Sequence, residues 1–191
     1  MTIIQIGCND CKDHVFDLVK EKENQLKELV VVDALSKCIE IAKDQYSFLE
    51  WRITAINAAI GTRNGLINFF YPENDNQSAH ASSSLDHLLK HGHKRIRKIT
   101  VPCLNINDFL SPLKFEKIDY LFIDTEGMDV PILLEMDFDK YAPMNLRFEH
   151  YHSEGVFRSK GENISNLLNK LKKFNYSISI ENEYDTIARR I

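Results

Sequence analysis

A short apolar segment that ends in acidic residues most constrains what this chain can fold into. The apolar run covers Tyr120 to Ile123, and Asp124, Glu126 and Gly127 follow it at once. A short aromatic and β-branched run bounded by turn residues is typical of a buried strand. Open α/β sheets bind their ligands beyond the carboxyl ends of such strands. The segment therefore predicts a strand with acidic side chains at a ligand-binding edge.

Composition and charge narrow the class of protein. Of the 191 residues, 43% are hydrophobic and 27% are charged, which is typical of a globular protein and predicts one domain over residues 1–191. The net charge of −4 gives no reason to expect nucleic acid as a partner, and no apolar run approaches the roughly 18 residues of a membrane span. Residues 1–7 lack the features of a secretory signal, and four scattered cysteines are too few for a disulfide framework. We therefore expect a cytoplasmic protein that binds neither nucleic acid nor membrane.

Strand and helix patterns alternate along the chain. We predict strands over residues 2–6, 29–32, 51–60, 66–71, 99–104, 120–123, 145–150, 176–180 and 184–191. We predict helices that begin near residues 13, 36, 129 and 164. The turn signal at residues 61–65 predicts that the strands on either side of it pair as a hairpin. The alternation, followed by a terminal strand pair, indicates a mostly parallel sheet with an antiparallel edge, and the terminal strand makes a homo-oligomer a further expectation.

Three strand ends carry residues that suit a nucleoside ligand. Gly7 ends the first strand, where a glycine lets the backbone approach a ligand closely. Asp33 and Asp124 end two later strands, and an acid after the second strand can accept hydrogen bonds from a ribose diol. Residues 7–12 hold one glycine and a carboxylate where a dinucleotide fingerprint has three glycines. S-adenosylmethionine, which has a sulfonium cation and no phosphate, suits this pattern better, although each residue alone could serve an ordinary turn or helix cap.

Six segments, taken in order, resemble the FkbM-type S-adenosylmethionine-dependent methyltransferases. They are Gly7 with Asn9, Val32-Asp33-Ala34, Asn57-Ala58-Ala59-Ile60-Gly61, Leu104 through Asp108, Ile123-Asp124-Thr125-Glu126-Gly127, and Phe148-Glu149. The resemblance runs from about residue 3 to residue 150, and the Asp-x-Glu-Gly segment is its most specific part. It implies an α/β fold of the class I methyltransferase (Rossmann-like) type. That fold is a mostly parallel seven-stranded sheet with an antiparallel C-terminal strand and a hairpin insertion.

The resemblance also implies S-adenosylmethionine as the cofactor and a set of contacts to it. The implied contacts are Gly7 and Asn9 at the methionine moiety, Asp33 at the ribose with Ala34 next to it, Asn57 and Ala58 beside the adenine, and Asp124 near the sulfonium. Two positions depart from the family pattern. Gln5 stands where an acid is common, and Cys11 stands where a second glycine is usual. Relatives often carry extra sequence before the first strand, so we expect part of the lid over the cofactor to be absent.

Catalytic candidates follow two of the strands. The resemblance implies O-methylation of a small molecule or a glycan hydroxyl, and a hydroxyl acceptor benefits from positioning and from a general base. We expect Glu126 or Glu149 to orient the acceptor, and His152 or an acid to take its proton. The alternative for Glu126 is that its carboxylate only bonds backbone amides of the following helix. Ligand types that suit a divalent cation occur at Asp124, Glu126, Glu149, His150 and His152, but their spacing does not enforce metal geometry, so we predict no metal ligand.

Other signals leave alternatives open. Cys8 and Cys11 form a C-x-x-C between a strand and a helix, which is also the setting of thiol oxidoreductases, although Asp10 places negative charge beside both thiols. The basic run at residues 90–98 could recognise a phosphate-bearing acceptor or simply face water. Residues 71–84 could fold over a pocket or form a plain surface loop. The two departures from the family pattern also favour a second hypothesis, a nucleoside-binding protein without catalysis.

Overall fold

The computed structural model describes residues 1–73, 80–152 and 162–191. The strands in these ranges are β1 (Thr2–Ile6), β2 (Glu28–Asp33), β3 (Ile53–Asn57), β4 (Ala59–Gly61), β5 (Gly65–Pro72), β6 (Ile96–Asn105), β7 (Tyr120–Ile123), β8 (Asn145–Glu149), β9 (Tyr176–Ile180) and β10 (Asp185–Arg190). The helices are α1 (His14–Glu21), α2 (Ser36–Gln45), α3 (Leu85–Lys90), α4 (Ile106–Leu110), α5 (Asp129–Glu135), α6 (Phe138–Tyr141) and α7 (Glu162–Lys173).

Seven strands form the main sheet, in the order β3-β2-β1-β7-β8-β10-β9. The strands from β3 to β8 in this order pair in parallel, whereas β10 is antiparallel to both of its neighbours. All five residues of β1 and the four central residues of β2 are buried, because helices cover both faces of the sheet. The predicted mostly parallel seven-stranded sheet with an antiparallel C-terminal strand is confirmed.

The two faces of the sheet carry separate cores, as the two-residue period of a strand requires. Ile4 and Val30 point to one face and pack with apolar residues of α4, α5 and α7. Ile3 and Val31 point to the other face and pack with apolar residues of α1 and α2. Within the described ranges, no helix combines the length and the apolar character that crossing a bilayer requires. The sheet is thus held from both sides, which fixes the positions of its strand ends.

The insertion between β3 and β7 differs from the predicted hairpin. The predicted strand over residues 51–60 is divided into a 3-10 turn (Ser47–Arg52), β3 in the main sheet and β4 in a second sheet. The second sheet has the order β4-β6-β5, so β4 and β5 do not pair with each other. Strand β6 is antiparallel to β5 over eight residue pairs and parallel to β4 over three. The hairpin prediction was wrong because β6, 10 residues long and distant in sequence, offers β5 a longer ladder than β4 can.

Helix α1 begins where the sequence predicts, and its cap is tied to the sheet. The Asp13 side chain accepts hydrogen bonds from the backbone nitrogens of Val15 (2.9 Å) and Phe16 (3.1 Å). The amide nitrogen of Gln5, which is buried in β1, donates to the other Asp13 oxygen at 2.7 Å. An acid at position 5 would place a second carboxylate beside Asp13. Gln5, one of the two departures from the family pattern, therefore fits this structure because it supplies a donor.

Candidate active site

A cavity of about 720 Å³ lies at the carboxyl ends of β1, β2 and β7. The ends of these strands and the segments after them contribute Gly7, Asn9, Asp33, Ala34, Ala58, Asp124 and Glu126 to its lining. Side chains of the second sheet, among them Phe69, Phe70 and Thr100, form another wall. The volume lies within the roughly 300–1,000 Å³ of typical small-molecule sites. The structure therefore brings together every predicted cofactor residue except Asn57.

Gly7 is the point where the chain leaves β1 and enters the cavity lining. Its φ of 80° lies in the left-handed region, and an added Cβ would overlap the backbone carbonyl oxygen of Asp124 at the end of β7. The Gly7 nitrogen donates to the carbonyl oxygen of Val32 in β2 at 2.8 Å. A glycine is therefore required here by both conformation and space, and it joins the ends of three strands.

Asp33 organises the loop that follows β1. One of its carboxylate oxygens accepts from the backbone nitrogens of Cys8 at 3.0 Å and Asn9 at 3.3 Å, and the other accepts from the nitrogen of Leu35 at 2.8 Å. Burial raises the pKa of Asp33, and these backbone bonds oppose that rise. The sequence indicated an acid at the cavity edge, but it did not show that this acid also shapes the adjacent glycine loop.

Asn57 lies outside the cavity lining. Its side chain is exposed, and its amide nitrogen donates to the carbonyl oxygens of Asp33 and Ala34, each at 3.0 Å. The residue therefore braces the turn after β2. The neighbouring Ala58 is buried and does line the cavity, and its nitrogen donates to the Asp33 carbonyl at 3.0 Å.

Four carboxyl groups crowd the ends of β7 and β8. Asp124 faces the cavity, from which solvent reaches it, while protein encloses its other sides. Burial raises the pKa of Asp124 well above its ordinary range, and repulsion from Asp129, Glu126 and Glu149 adds to the rise. For Glu149, burial and then the same kind of repulsion raise the pKa to about 9, so this group keeps its proton at pH 7.

Asp129 is the buried member of this group, only 1% exposed. Its Oδ2 accepts from the Thr125 nitrogen at 3.1 Å and from the Thr125 hydroxyl at 2.6 Å, and its Oδ1 accepts from the Glu149 nitrogen at 3.2 Å. Burial raises its pKa to about 6, against the opposing effect of the Thr125 bonds. The carboxyl therefore joins the segment after β7 to the end of β8. The sequence analysis placed Asp129 only at a helix start and missed this link.

We expect the free energy of unfolding to fall as the pH rises through the interval set by Asp129. Folding raises the pKa of this group from 3.8 to about 6, so between those values the folded state binds the proton more tightly. The contribution of Asp129 to stability therefore falls with rising pH across this interval and is constant above about pH 6. Asp129→Asn has no such proton and should show a weaker dependence in denaturant unfolding. Asp44→Asn, an exposed variant on α2, is the control and should show the pH dependence of the wild type. If Asp129→Asn also showed the wild-type dependence, the raised pKa of Asp129 would be contradicted.

Glu126 sits in a strained turn at the cavity wall. Its φ of 54° is in the left-handed region, which a non-glycine residue rarely adopts, and its carbonyl oxygen accepts from the Ser82 hydroxyl at 3.0 Å. Gly127 follows with a φ of 112°, where a Cβ would lie 3.4 Å from the His152 carbonyl oxygen. Strained conformations of this kind persist where the surrounding structure over-determines them, and they occur often at active sites.

Of the three predicted catalytic residues, His152 contacts both of the others. His152 Nδ1 lies 2.8 Å from Glu149 Oε1 and 3.5 Å from Glu126 Oε2. Burial raises the pKa of Glu126 to about 7, and His152 opposes that rise. Only Glu126 of the three reaches the cavity lining. His150 lies apart, because its Nδ1 is 3.0 Å from the hydroxyl of Thr186 in β10.

A group of histidines that the sequence analysis missed completes this cluster. His87 Nε2, on α3, lies 2.9 Å from Glu126 Oε2. Its ring contacts His152 at 4.7 Å and His91 at 4.5 Å between centroids, and His91 in turn stacks on His80 at 4.3 Å. Burial lowers the pKa of both His87 and His91 to about 4, so both are neutral at pH 7. Their spacing of four residues, which places two imidazoles on one side of a helix, is the sequence signal that could have found them.

Comparison with models of known families identifies the family of this chain. The family model described as the methyltransferase FkbM domain matches residues 5–178. This chain belongs to the FkbM methyltransferase family. The predicted family is thereby confirmed. No curated protein sequence gives a significant match.

Solved structures of methyltransferases are similar to this FkbM-family chain, and the first of them shares its fold. The crystal structure of methyltransferase FkbM from Methylobacillus flagellatus KT is 12% identical, with a TM-score of 0.62; the match covers 98% of this chain and 43% of that one. M. capricolum TrmK in complex with S-adenosyl-homocysteine is 14% identical, with a TM-score of 0.48 and coverage of 100% and 62%. The methyltransferase domain of bacterial CtHen1-CN is 12% identical, with a TM-score of 0.48 and coverage of 98% and 89%. The chain thus spans less than half the length of the FkbM structure, and the class I methyltransferase fold is confirmed.

The cysteine pair of this FkbM-family chain does not have the environment of a redox site. Cys8 and Cys11 are free thiols that are 2% and 0% exposed. The hydrogen bond to Cys11, then burial and the Asp33 carboxylate, raise the pKa of the Cys8 thiol far above its usual range. A thiol that stays protonated is a poor nucleophile, which argues against thiol oxidoreductase chemistry. Cys11 has a φ of 55°, in the left-handed region that a glycine adopts more readily than a cysteine.

The basic run at residues 90–98 faces solvent, whereas the described end of the segment at residues 71–84 approaches the cavity. Lysine and arginine side chains of residues 90–98 are exposed, and Arg97 pairs with Glu73 at 3.1 Å, so this run faces solvent. Of residues 71–84, positions 74–79 lie outside the described residues. Ala81 and Ser83 line the cavity, and Ser82 bonds Glu126, so the described end of this segment packs against the site.

Proposed function

We propose that this chain is an S-adenosylmethionine-dependent methyltransferase that methylates a hydroxyl group of a small molecule or a glycan. The observation that carries the proposal is the cavity at the carboxyl ends of β1, β2 and β7, lined by Gly7, Asp33 and Asp124. Family membership supports the transfer of a methyl group. A cytoplasmic location and a homo-oligomer stay predictions.

The cavity fits a cationic nucleoside better than a dinucleotide. Asp33 and Asp124 place carboxylates on its lining, and the single glycine turn at Gly7 offers no glycine-rich cradle for phosphates. We assign Asn9 and Gly7 to the methionine moiety, and the small, buried Ala58 to the side of the adenine. The apolar wall of Phe69 and Phe70 supplies surface against which a flat ring can pack.

Glu126 is the group that we assign to the acceptor. Bound S-adenosylmethionine supplies an electrophilic methyl group on sulfur. The chain's own contribution is to hold the acceptor hydroxyl in line with that methyl group and to take its proton. Glu126 lines the cavity, has a pKa of about 7, and places its Oε2 2.9 Å from His87 Nε2 and 3.5 Å from His152 Nδ1. As the methyl group passes from sulfur to the acceptor oxygen, the hydroxyl proton passes to the Glu126 carboxylate, and His152, itself in contact with Glu149, lies beside that carboxylate.

Ligand-dependent stabilisation tests the cofactor part of the proposal. We expect S-adenosylmethionine and S-adenosylhomocysteine to raise the melting temperature, and NAD to leave it unchanged. A ligand at 100 times its dissociation constant stabilises the native state by about 2.7 kcal/mol. A shift with NAD alone, or with none of the three, would contradict the assigned cofactor.

Turnover tests the reaction. We expect S-adenosylhomocysteine to accumulate only when a hydroxyl-bearing acceptor from a panel of small molecules and glycans is added. Binding of the cofactor without turnover on any member of the panel would instead favour the nucleoside-binding protein. Mass spectrometry of the product, together with a test of its stability in alkali, would distinguish a methyl ether from a methyl ester or a methylated amine.

A further inference from the structure

Four side chains from three separate segments converge beside the cavity. They are His87 and His91 at the end of α3, Glu126 in the turn after β7, and His152 just after β8. One nitrogen or oxygen atom of each lies within 4.8 Å of one such atom of every other. The cluster is well enclosed, since His87 is 2% and His152 is 5% exposed.

The atoms at the centre of this cluster are close together but poorly bonded. Glu126 Oε2 and His87 Nε2 are 2.9 Å apart, yet neither makes a hydrogen bond of acceptable geometry within the described residues. A buried polar atom that lacks such a bond destabilises the folded state. A bound cation would satisfy both atoms at once, because imidazole nitrogens and carboxylate oxygens are both metal ligands.

We propose that His87, His91, His152 and Glu126 bind one divalent transition-metal ion, for which Zn²⁺ is the best match. Three imidazoles and one carboxylate are a donor set for borderline metals, whereas Mg²⁺ and Ca²⁺ prefer oxygen ligands. Zinc–nitrogen distances of about 2.0–2.1 Å place tetrahedral ligands about 3.4 Å apart. Side-chain rotations must therefore bring the more distant atoms closer and separate Glu126 Oε2 from His87 Nε2, which are 2.9 Å apart. Glu149 Oε1, 2.8 Å from His152 Nδ1, is a carboxyl oxygen in the position from which an outer-shell partner commonly orients a ligand imidazole.

The site differs from the set of metal-ligand types noted in the sequence. Asp124 faces the cavity and His150 contacts Thr186, so the structure leaves both out of the cluster. His87 and His91 take their places because α3 packs against the turn that carries Glu126.

The position of the ion implies a role. Glu126 belongs both to the cluster and to the cavity lining, so an ion held by it would lie at the wall where we place the acceptor. A tetrahedral ion with four protein ligands has no open position, so its role would be to fix Glu126 by one carboxylate oxygen and leave the other oxygen for the acceptor hydroxyl. This role depends on the proposed function, whereas the binding of the ion does not.

Calorimetric titration of the chelator-treated protein with ZnCl₂ tests the binding. We expect one equivalent to bind, and the melting temperature to rise with Zn²⁺. The His91→Ala variant changes the least buried of the three histidines and should weaken binding by more than roughly 100-fold, the upper end of what loss of an outer-shell partner causes. His14→Ala removes an exposed histidine on α1 and should bind as wild type. Cobalt should give the visible absorption of a four-coordinate ion in wild type and in His14→Ala, but not in His91→Ala.

Two outcomes would overturn the proposal. One is a chelator-treated protein that binds Zn²⁺ no more tightly than His91→Ala does. The other is wild-type affinity in Glu126→Gln, which keeps the size of the side chain. Parallel titration with S-adenosylhomocysteine separates the two proposals: intact cofactor binding without zinc binding removes the metal site alone, and zinc binding without cofactor binding removes the methyltransferase proposal alone.

Discussion

Gly7→Ala is expected to destabilise the protein by about 3–5 kcal/mol and to abolish binding of S-adenosylhomocysteine. The new Cβ would overlap the Asp124 carbonyl oxygen, and backbone cannot move aside as a flexible side chain can. The substitution also forces alanine into a φ of 80°. Urea unfolding measures the first effect, and calorimetry with S-adenosylhomocysteine measures the second.

The chain offers a matched control for this variant. Gly92 has the same φ of 80°, but nothing lies within 4 Å of an added Cβ. Gly92→Ala should therefore cost only the left-handed conformation, about 1–2 kcal/mol. The difference between the two variants isolates the clash at the strand junction. Equal stability of the two, with cofactor binding kept in Gly7→Ala, would show that β1 and β7 do not meet as closely as described.

Glu126→Gln is expected to lower turnover by roughly 10²–10⁴-fold while S-adenosylhomocysteine binding stays at the wild-type level. The amide has the size of the carboxylate but cannot take the proton of the acceptor hydroxyl. The Glu126 side chain lines the cavity and lies beside both His87 and His152. No other described carboxylate occupies that position, so none can take over its role. Steady-state kinetics with the acceptor found in the panel, together with calorimetry, separate the two effects.

The exposed Glu135 at the end of α5 provides the control for this variant. Glu135→Gln makes the same chemical change at the opposite end of α5, outside the cavity lining, and should leave turnover unchanged. Undiminished turnover in Glu126→Gln would remove Glu126 from the chemistry. Loss of S-adenosylhomocysteine binding would instead assign its carboxylate to the cofactor pocket.

Local features of the chain predicted most of the sheet. Thr2–Ile6, Glu28–Asp33 and Tyr120–Ile123 are short, mainly apolar runs, and each ends in a glycine or an acid that the fold places at the same edge. The prediction succeeds because burial on both faces demands near-continuous apolar residues, and because parallel strands present their carboxyl ends together. The hairpin prediction failed at residues 51–71, where a turn signal indicated local pairing and the distant β6 provided a better partner.

For the candidate site, too, local sequence patterns identified some residues, and only the folded structure identified the others. By itself the sequence determined that Gly7, Asp33, Asp124 and Glu126 stand at strand ends, since apolar periodicity and turn residues are properties of neighbouring positions. Only the tertiary structure decided that His87 and His91 meet Glu126, that Asp129 bonds the nitrogen of Glu149, and that Gln5 holds the cap of α1. The physical reason is that these contacts join segments whose separation along the chain carries no periodic signal, so packing of the folded chain alone brings them together.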